Sequence, residues 1–256
     1  MAESTPILEL PTELSVVVPV KNEAGNIAPL VGEIDAALSG RLAYEVIIID
    51  DGSDDGTGHE ADALAHSHVH VRVVRHAKCC GQSQATISGG VAARGVWIVT
   101  LDGDGQNVPA DIIKLLDARA RAGTDADLSL FIGNRAARQD SAARRVVSRI
   151  ANGIRGFVLG DHTPDSGCGL KLLPRDVFLG LPRFDALHRF MPALVIRAGG
   201  RVVSVPVAHR PRSKGVSKYG IWRRGVLGII DMLGVAWLKL RYTNPAINSP
   251  GHPRGE

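Results

Sequence analysis

The first half of the chain alternates short apolar runs with segments that have helical spacing. The clearest runs cover residues 15–20, 45–50 and 96–101 and consist largely of Val and Ile. Apolar runs of this kind are typical of strands that are buried on both faces of a parallel sheet. Strands that alternate with helices form βαβ units. The sequence therefore predicts an α/β fold with a mostly parallel central sheet flanked by helices.

Other elements are expected from the same patterns. A third strand is expected over residues 69–74, and Pro109 is expected to begin a helix because proline is favoured in the first helical turn. The second half of the chain is less regular, with strands expected at 169–173 and 201–207. The expected helices cover residues 26–38, 57–65, 83–93, 144–158 and 221–238.

Composition places the chain among folded soluble domains. It has 256 residues, of which 45% are apolar and 22% are charged, and this excludes disordered and collagen-like chains. The three cysteines are an odd number, and Cys79 and Cys80 are adjacent, so we expect reduced thiols. No apolar stretch reaches the ~18 residues of a membrane-spanning helix, and 226–238 comes nearest.

The charge is divided unevenly between the two halves. Residues 1–130 hold 9 basic and 19 acidic residues, and residues 131–256 hold 21 basic and 7 acidic residues. An acidic half suits metal binding, and a basic half suits a phosphate-bearing partner or a membrane surface. A basic, solvated surface without a ligand is the alternative for the second half.

Polar clusters follow three of the expected strands. They cover residues 19–23, 50–55 and 102–106. In open α/β sheets, ligands bind beyond the carboxyl ends of the strands. We therefore expect the chemistry of this protein where these clusters meet.

The third cluster has the spacing of a divalent metal site. Asp102, Asp104 and Gln106 occupy alternate positions, which point the same way in an extended segment. Carboxylate and amide oxygens suit Mg²⁺ or Mn²⁺. A pair of turn aspartates without a metal is an equal alternative on spacing alone.

The first two clusters suit a sugar or base ligand. Asp51 could accept hydrogen bonds from a ribose or a base edge, whereas Ser53 and Asp54 are candidate caps for a helix that begins at Thr57, and capping is also the explanation expected for Asp55. Glu23 is a candidate for either a helix N-terminal charge or a ligand contact.

Together these clusters resemble those of family 2 glycosyltransferases, which have the Rossmann-like GT-A fold. Residues 19–23 match the P-x-x-N-E entry of that family, residues 50–53 its D-D-G-S, and residues 102–106 the D-x-D segment. The remaining motifs are similar to those of the polyprenyl-phosphate hexosyltransferases, such as the dolichol-phosphate mannosyltransferases. They are Gly133-Asn-Arg135, Arg144-Arg145, Asp165-Ser-Gly-Cys-Gly169 and Arg212-Ser-Lys-Gly-Val-Ser-Lys218.

The resemblance implies a role for each matching residue. The metal and the donor diphosphate would be held by Asp102, Asp104 and Gln106, with Gly103 between them. Phosphates would be neutralised by Arg135, Arg212 and Lys218, and the acceptor phosphate would face Arg144 or Arg145. The residues implied for the nucleoside are Pro19, Lys21, Glu23 and Asp51.

The implied reaction is the inverting, metal-dependent transfer of a hexose, with mannose as the expected sugar. The hexose is transferred from a nucleotide-sugar donor such as GDP-mannose to a polyprenyl or dolichyl phosphate. Because a phosphate monoester is largely ionised at neutral pH, it needs no strong base. Asp165 is the candidate base, with ordering of the turn at Ser166 and Gly167 as the alternative.

Two other functions remain open on the sequence. One is a family 2 glycosyltransferase with a saccharide or another non-lipid acceptor. The other is a non-catalytic module for nucleic acid or an anionic membrane. Aromatic residues make up only 4% and do not alternate with basic ones, so we expect no nucleic-acid partner.

The segment after the catalytic motifs suggests contact with a membrane. Arg223 and Arg224 precede the apolar run and Lys239 and Arg241 follow it, which fits an interfacial helix; a core helix on the sheet is the alternative. We expect a cytoplasmic protein, peripheral at the membrane face, with a possible membrane-protein partner or homo-oligomer. The expected divisions are an extension over 1–13, the GT-A domain over 14–220, the helix over 221–242 and a disordered tail over 243–256.

Overall fold

The computed structural model describes residues 12–135, 153, 155–211 and 221–243. Within these residues, seven strands form one sheet in the order β3-β2-β1-β4-β6-β5-β7. Strand β6 runs antiparallel to β4 and β5, and the other pairs are parallel. The strands are β1 Leu14–Val20, β2 Tyr44–Asp50, β3 Val71–Arg75, β4 Trp97–Thr100, β5 Ser129–Asn134, β6 Lys171–Pro174 and β7 Arg201–Pro206.

Helices connect and flank these strands. A 3₁₀ turn at Pro109–Asp111 leads into α4, and a second one at Gly123–Leu128 leads into β5. A short helical segment covers residues 155–159. The α-helices are α1 Ile27–Leu38, α2 Thr57–Ser67, α3 Gln82–Ala92, α4 Ile112–Ala122, α5 Arg175–Gly180, α6 Leu187–Arg197 and α7 Ile221–Leu240.

The predicted α/β architecture is confirmed, and most expected elements lie within two residues of their observed bounds. Strand β3 begins at Val71 rather than at 69, because Val69 is fully exposed. Strand β5 and helices α5 and α6 were not expected. Helix α6 contains Pro192, and a proline inside a helix normally ends or kinks it.

The core lies along β1 and β2, at the centre of the parallel part of the sheet. Val16, Val17, Ile47 and Ile48 have no exposed surface. Each such side chain contributes about 1.5–3 kcal/mol by leaving water. This burial on both faces explains why the two strands lack polar–apolar alternation.

A buried carboxylate joins the start of β1 and β2 to their neighbours. Glu45, which is 5% exposed, accepts hydrogen bonds from Ser15 Oγ, Arg72 Nη1 and the Arg94 backbone N–H, each at 2.7 Å. Burial alone would raise the pKa of Glu45, but these three donors outweigh it and lower the pKa below its usual value. The ionised carboxylate therefore stabilises the fold.

The last helix packs on the domain through one face only. Val235 is 1% exposed, and Met232 and Ala236 pack beside it against the core. Arg197 Nε in α6 donates to the Leu238 carbonyl at 3.0 Å. Across the described ranges, none of the helices combines the length and the apolar character that crossing a membrane requires. The expected extension and tail lie outside the described residues, apart from residues 12, 13 and 243.

Candidate active site

The loops after β1 and β2 are tied together by side-chain hydrogen bonds. Asn22 donates its backbone N–H to Ser53 Oγ at 3.0 Å and its amide to Asp54 Oδ1 at 2.7 Å. Asp55, rather than either of those residues, accepts from the Thr57 N–H at 3.1 Å. Of the residues expected to cap α2, Ser53 and Asp54 therefore join the two loops instead, and Asp55 accepts from the start of the helix.

Two residues expected at the nucleoside lie in the same loops. Lys21 donates its ammonium group to the Gly52 carbonyl. Glu23 is 8% exposed; its N–H donates to Thr57 Oγ1 at 2.8 Å, and its carboxylate accepts from Asn26 Nδ2 at 2.8 Å. Their nucleoside contact stays a prediction.

Asp51, at the end of β2, is surrounded by donors from the loop that precedes α3. Its carboxylate accepts from the backbone N–H groups of Cys80 and Gly81 at 2.7 and 2.8 Å. His76 Nδ1 lies 2.7 Å from Asp51 Oδ1, and the Cys79 thiol donates to Oδ2 at 3.2 Å. Burial would raise the pKa of Asp51, but these donors hold it below its usual value. The carboxylate is thus ionised and fixes this loop.

A cleft of about 350 Å³ opens at the carboxyl ends of β1 and β4. Three residues expected from the sequence lie along it, namely Pro19, Asp102 and Arg135. The cleft also contains residues that the sequence did not single out, including Gln82, Lys171, His188 and Arg189.

Asp102 lies in this cleft, where the charges of Lys171 and Arg135 only partly offset the cost of its burial. Its Oδ1 accepts from Gln82 Nε2 at 2.8 Å. Burial, and then the nearby charge of Asp104, raise the pKa of Asp102. Gly169 lies so close that a Cβ there would be 2.2 Å from Asp102 Oδ2. The absence of a side chain at Gly169 therefore leaves room for the carboxylate.

The rest of the expected metal segment forms a tight turn. Asp104 Oδ1 accepts from the Gln106 N–H at 3.1 Å, and Gln106 Nε2 donates to the Arg210 carbonyl at 3.4 Å. A Cβ on Gly103 would be 2.5 Å from Val20 Cγ1, so this glycine lets the turn pack on β1. The segment is therefore a turn and not the extended stretch assumed from the spacing, and its binding of a metal stays a prediction.

Arg135 and Asp165 form a two-point ion pair at the cleft. Arg135 Nε and Nη2 donate to the two carboxylate oxygens of Asp165 at 2.6 and 2.8 Å. Burial would raise the pKa of Asp165, but the hydrogen bonds and charge of Arg135 outweigh it and lower the pKa. Both oxygens of Asp165 are therefore engaged. This geometry argues against the base role, but the carboxylate orders Arg135 and not the turn at Ser166 and Gly167; the role of Asp165 in the reaction stays a prediction.

Lys171 and His188 are cleft residues that sequence reasoning missed. Lys171 is 2% exposed and donates to the Cys168 carbonyl, and burial lowers its pKa. His188 Nδ1 lies 2.7 Å from Ser83 Oγ. Burial, and then the charges of Lys171 and Arg189, lower the pKa of His188 to about 3, so the imidazole is neutral. A lysine in a short strand and a lone histidine carry no sequence signal of this role.

Four of the expected phosphate-binding residues cannot be placed against this cleft. Arg144, Arg145, Arg212 and Lys218 lie outside the described residues. Their assignment stays a prediction.

The fold and the cleft define a GT-A protein with an acidic turn at the carboxyl ends of its parallel strands. The profile of Glycosyl transferase family 2 matches residues 15–180, so the chain belongs to this family. The expected family is confirmed.

Two curated relatives share much of this chain. Dodecaprenyl-phosphate galacturonate synthase from Rhizobium johnstonii is 36% identical over 245 residues, which cover 94% of this chain and 70% of the relative. Undecaprenyl-phosphate 4-deoxy-4-formamido-L-arabinose transferase from Aeromonas hydrophila is 35% identical over 212 residues, which cover 81% of this chain and 63% of the relative. The chain thus spans about two thirds of the length of these relatives.

Solved structures share the fold at low identity. Mannosyl-3-phosphoglycerate synthase from Rubrobacter xylanophilus has a TM-score of 0.70 at 16% identity, covering 94% of this chain and 79% of the other. Glucosyl-3-phosphoglycerate synthase from Mycobacterium tuberculosis, solved with Mg²⁺ and uridine diphosphate, has a TM-score of 0.64 at 17% identity. That match covers 87% of this chain and 80% of the other.

Proposed function

We propose that this protein transfers a sugar from a nucleoside-diphosphate donor to a polyprenyl phosphate, with a divalent cation at Asp102 and Asp104. The observation that carries the proposal is the cleft itself. Asp102 of the acidic turn lines this cleft of about 350 Å³ together with cationic and neutral polar side chains, among them Lys171 and His188. The curated relatives, both named for polyprenyl-phosphate sugar chemistry, support the acceptor class.

The residues of the acidic turn fit a divalent cation. Two carboxylates lie two residues apart, and the pKa of Asp102 is raised by burial and by Asp104. A cation would relieve both costs, and oxygen ligands are those that Mg²⁺ and Mn²⁺ prefer. Gln106 would complete the set. When bound, the cation would supply charge that stabilises the departing diphosphate.

The cationic side chains of the protein would also stabilise the negative charge of the departing diphosphate. Lys171 is buried in the cleft, and Arg189 lines its wall. Arg135, which also lines the cleft, is held in position by Asp165. Such fixed donors stabilise negative charge as it develops on a leaving group. Arg144, Arg145, Arg212 and Lys218 are proposed to add phosphate contacts.

No strong base is required by the proposed acceptor. A phosphate monoester is largely ionised at neutral pH, so its oxygen can attack the anomeric carbon directly. The carbon–oxygen bond to the donor diphosphate breaks as the new bond forms on the opposite face, which inverts the anomeric centre. Asp165, with both oxygens on Arg135, is therefore proposed to position that arginine.

The sugar is the least constrained part of the proposal. The sequence resemblance implied mannose from GDP-mannose, whereas the relatives are named for galacturonate and 4-deoxy-4-formamido-L-arabinose. The nucleotide is likewise open between GDP and UDP, although one structural neighbour was solved with uridine diphosphate. Mannose stays a prediction, and galacturonate is the competing sugar.

The test is a donor screen with a short polyprenyl phosphate and Mg²⁺ or Mn²⁺. GDP-mannose, UDP-galacturonate and UDP-glucose are compared, and the lipid-linked product is detected by mass spectrometry. We expect transfer from one donor, and its loss with EDTA and in Asp104→Asn. Asp117→Asn, which removes an exposed carboxylate on α4, should retain activity. Full transfer in EDTA would refute the metal assignment. Absence of transfer from every one of these donors would refute the proposed reaction.

We further propose that α7 lies on the membrane that holds the acceptor. Opposite its packed face, apolar side chains recur every three or four residues and are 50–85% exposed. They form one stripe along the helix. They are Leu227, Ile230, Leu233, Trp237 and Leu240.

A lipid surface suits this stripe because the proposed acceptor carries a polyprenyl chain. Phe157, in the short helical segment over residues 155–159, is 90% exposed, and Lys239 of α7 donates to the carbonyl of Leu159 at the end of that segment. The stripe and Phe157 therefore extend over neighbouring parts of the surface. An interfacial helix buries such a face among the lipid headgroups and acyl chains. Peripheral placement at the cytoplasmic membrane face is part of this proposal.

Liposome co-sedimentation of the full chain tests the membrane contact. The double variant Leu233→Glu/Trp237→Glu should lose binding to anionic liposomes, whereas Val69→Glu, on a fully exposed valine near β3, should bind like the wild type. Circular dichroism checks that all variants are folded. Unchanged liposome binding by the double variant would refute the proposal. If that variant also changed from an oligomer to a monomer, the stripe would be assigned to contact with a second copy of the chain.

A further inference from the structure

Two thiols, an imidazole and a carboxylate lie together beside the carboxyl end of β2. Ligand atoms of Asp51, His76 and Cys80 all lie within 4.8 Å of one another. The Cys79 thiol reaches Asp51 Oδ2 at 3.2 Å. Both cysteines are exposed and reduced, whereas Asp51 is 4% exposed. A small cation can therefore reach a largely buried carboxylate from the thiol side.

The ligand types favour Zn²⁺ over Mg²⁺ or Mn²⁺. Thiolate and imidazole bind zinc, whereas magnesium and manganese prefer oxygen. In a tetrahedral zinc site, with nitrogen or oxygen at about 2.0 Å and sulfur at about 2.3 Å, ligand atoms are about 3.3–3.8 Å apart. The ligand atoms lie within 4.8 Å of one another and the closest pair, His76 Nδ1 and Asp51 Oδ1, is 2.7 Å apart, so shifts of about 1 Å would bring them to this range.

The cluster already has the outer hydrogen bonds of a metal site. His76 Nε2 lies 2.9 Å from Ser88 Oγ, which leaves Nδ1 facing Asp51. Asp51 is held by the N–H groups of Cys80 and Gly81. In metal sites such partners fix the orientation of the ligating histidine and carboxylate.

We propose that Asp51, His76, Cys79 and Cys80 form a Zn²⁺ site separate from the acidic turn at Asp102. Each thiol loses its proton to solvent as its sulfur binds zinc, so affinity rises with pH. Asp51 is also the side chain assigned above to the nucleoside. If that assignment holds, bound Zn²⁺ weakens the binding of a nucleoside diphosphate, and this consequence rests on the proposed function.

The test uses the full, reduced chain with Co²⁺ as a spectroscopic substitute for Zn²⁺. Excess Mg²⁺ is present to occupy the carboxylates of the acidic turn. We expect a thiolate-to-cobalt charge-transfer band that added Zn²⁺ removes by competition. Ser88→Ala should weaken Zn²⁺ binding by about 10- to 100-fold, as for other outer partners, and Cys80→Ser by at least as much.

Two matched variants control for the other thiol and the other site. Cys168→Ala removes a fully buried cysteine, and Asp104→Asn removes a carboxylate of the acidic turn. Both should retain the band. A second measurement needs no variant, because bound Zn²⁺ should slow the alkylation of Cys79 and Cys80 in the wild-type chain.

The proposal is overturned if the wild type gives no charge-transfer band. It is also overturned if Cys79→Ser/Cys80→Ser binds Zn²⁺ as tightly as the wild type. Binding of uridine diphosphate and guanosine diphosphate is measured separately in zinc-free buffer with Mg²⁺. Failure of both nucleotides to bind there counts against the proposed function, whereas the band reports on the zinc site alone.

Discussion

Replacing Asp165 by asparagine should destabilise the fold by about 3 kcal/mol. The side chains of Arg135 and Asp165 are only 11% and 19% exposed, and two hydrogen bonds of 2.6 and 2.8 Å join them. Removing one partner of a buried pair costs about 3–5 kcal/mol, because the other charge is left without compensation. Asparagine keeps the shape and one acceptor, which places the loss at the lower end of that range.

Urea unfolding followed by circular dichroism measures this loss directly. For a domain of this size, about 3 kcal/mol corresponds to a fall in Tm of about 6–12 °C. The double variant Asp165→Asn/Arg135→Met should be less destabilised than the sum of its single variants, since no unpaired charge remains. Asp125→Asn serves as the matched control, because the Arg201–Asp125 pair has side chains that are 71% and 56% exposed. That variant should lose no more than about 1 kcal/mol.

The same variants separate the two roles considered for Asp165. A positioning role predicts that Asp165→Asn lowers kcat/KM without changing the shape of the pH profile. A base role predicts that the acid limb of the profile disappears along with most of the activity. The reasoning from the buried pair would be refuted if Asp165→Asn destabilised the fold no more than Asp125→Asn does. It would also be refuted if the destabilisation of the double variant equalled the sum for its two single variants.

Three further outcomes follow from contacts elsewhere in the structure. Glu45→Gln should lower the free energy of unfolding by about 1.5–3 kcal/mol at pH 7. The pKa of Glu45 is lowered in the folded state, so its ionised form stabilises the fold above the usual pKa of 4.5. In urea unfolding, the difference in stability between the variant and the wild type should therefore shrink as the pH falls below that value. Gly90→Ala should destabilise by about 1–3 kcal/mol, since its Cβ would lie 2.0 Å from the Phe178 ring. Gly169→Ala should displace the carboxylate of Asp102 and lower transfer by about 100-fold in the donor screen, with circular dichroism showing a folded chain.

The parallel part of the fold could be predicted because its strands are buried on both faces. Burial on two sides requires long apolar runs, and β1 and β2 have them. Strand β7 has no long apolar run, because it lies at the edge of the sheet and its Arg201, Ser204 and Pro206 are exposed. Its prediction depended on the spacing of Val202, Val203 and Val205.

Strand β5 and helix α6 were missed because tertiary contacts decide their structure. β5 lies between antiparallel β6 and parallel β7, an arrangement that no local pattern specifies. In α6, Pro192 interrupts the sequence pattern of a helix, yet Leu194 and Val195 beyond it have no exposed surface. Burial of the second half of this helix outweighs the hydrogen bond that proline removes.

The residues of the candidate site likewise fall into two groups: those that local sequence could predict and those that tertiary contacts place. The turn at Asp102 and Asp104 could be predicted because its spacing and its place after a strand are both local properties. Lys171 and His188 come from an antiparallel strand and an unexpected helix, so their place in the cleft depends on the tertiary fold. Once there, their burial changes their chemistry: the pKa of each is lowered, and neutral His188 can accept or donate one hydrogen bond in the cleft that Asp102 also lines. A buried lysine and a neutral imidazole in the cleft beside an acidic turn would suit the phosphate-linked sugar proposed above, since a lysine can balance phosphate charge and an imidazole can hydrogen-bond to hydroxyl groups.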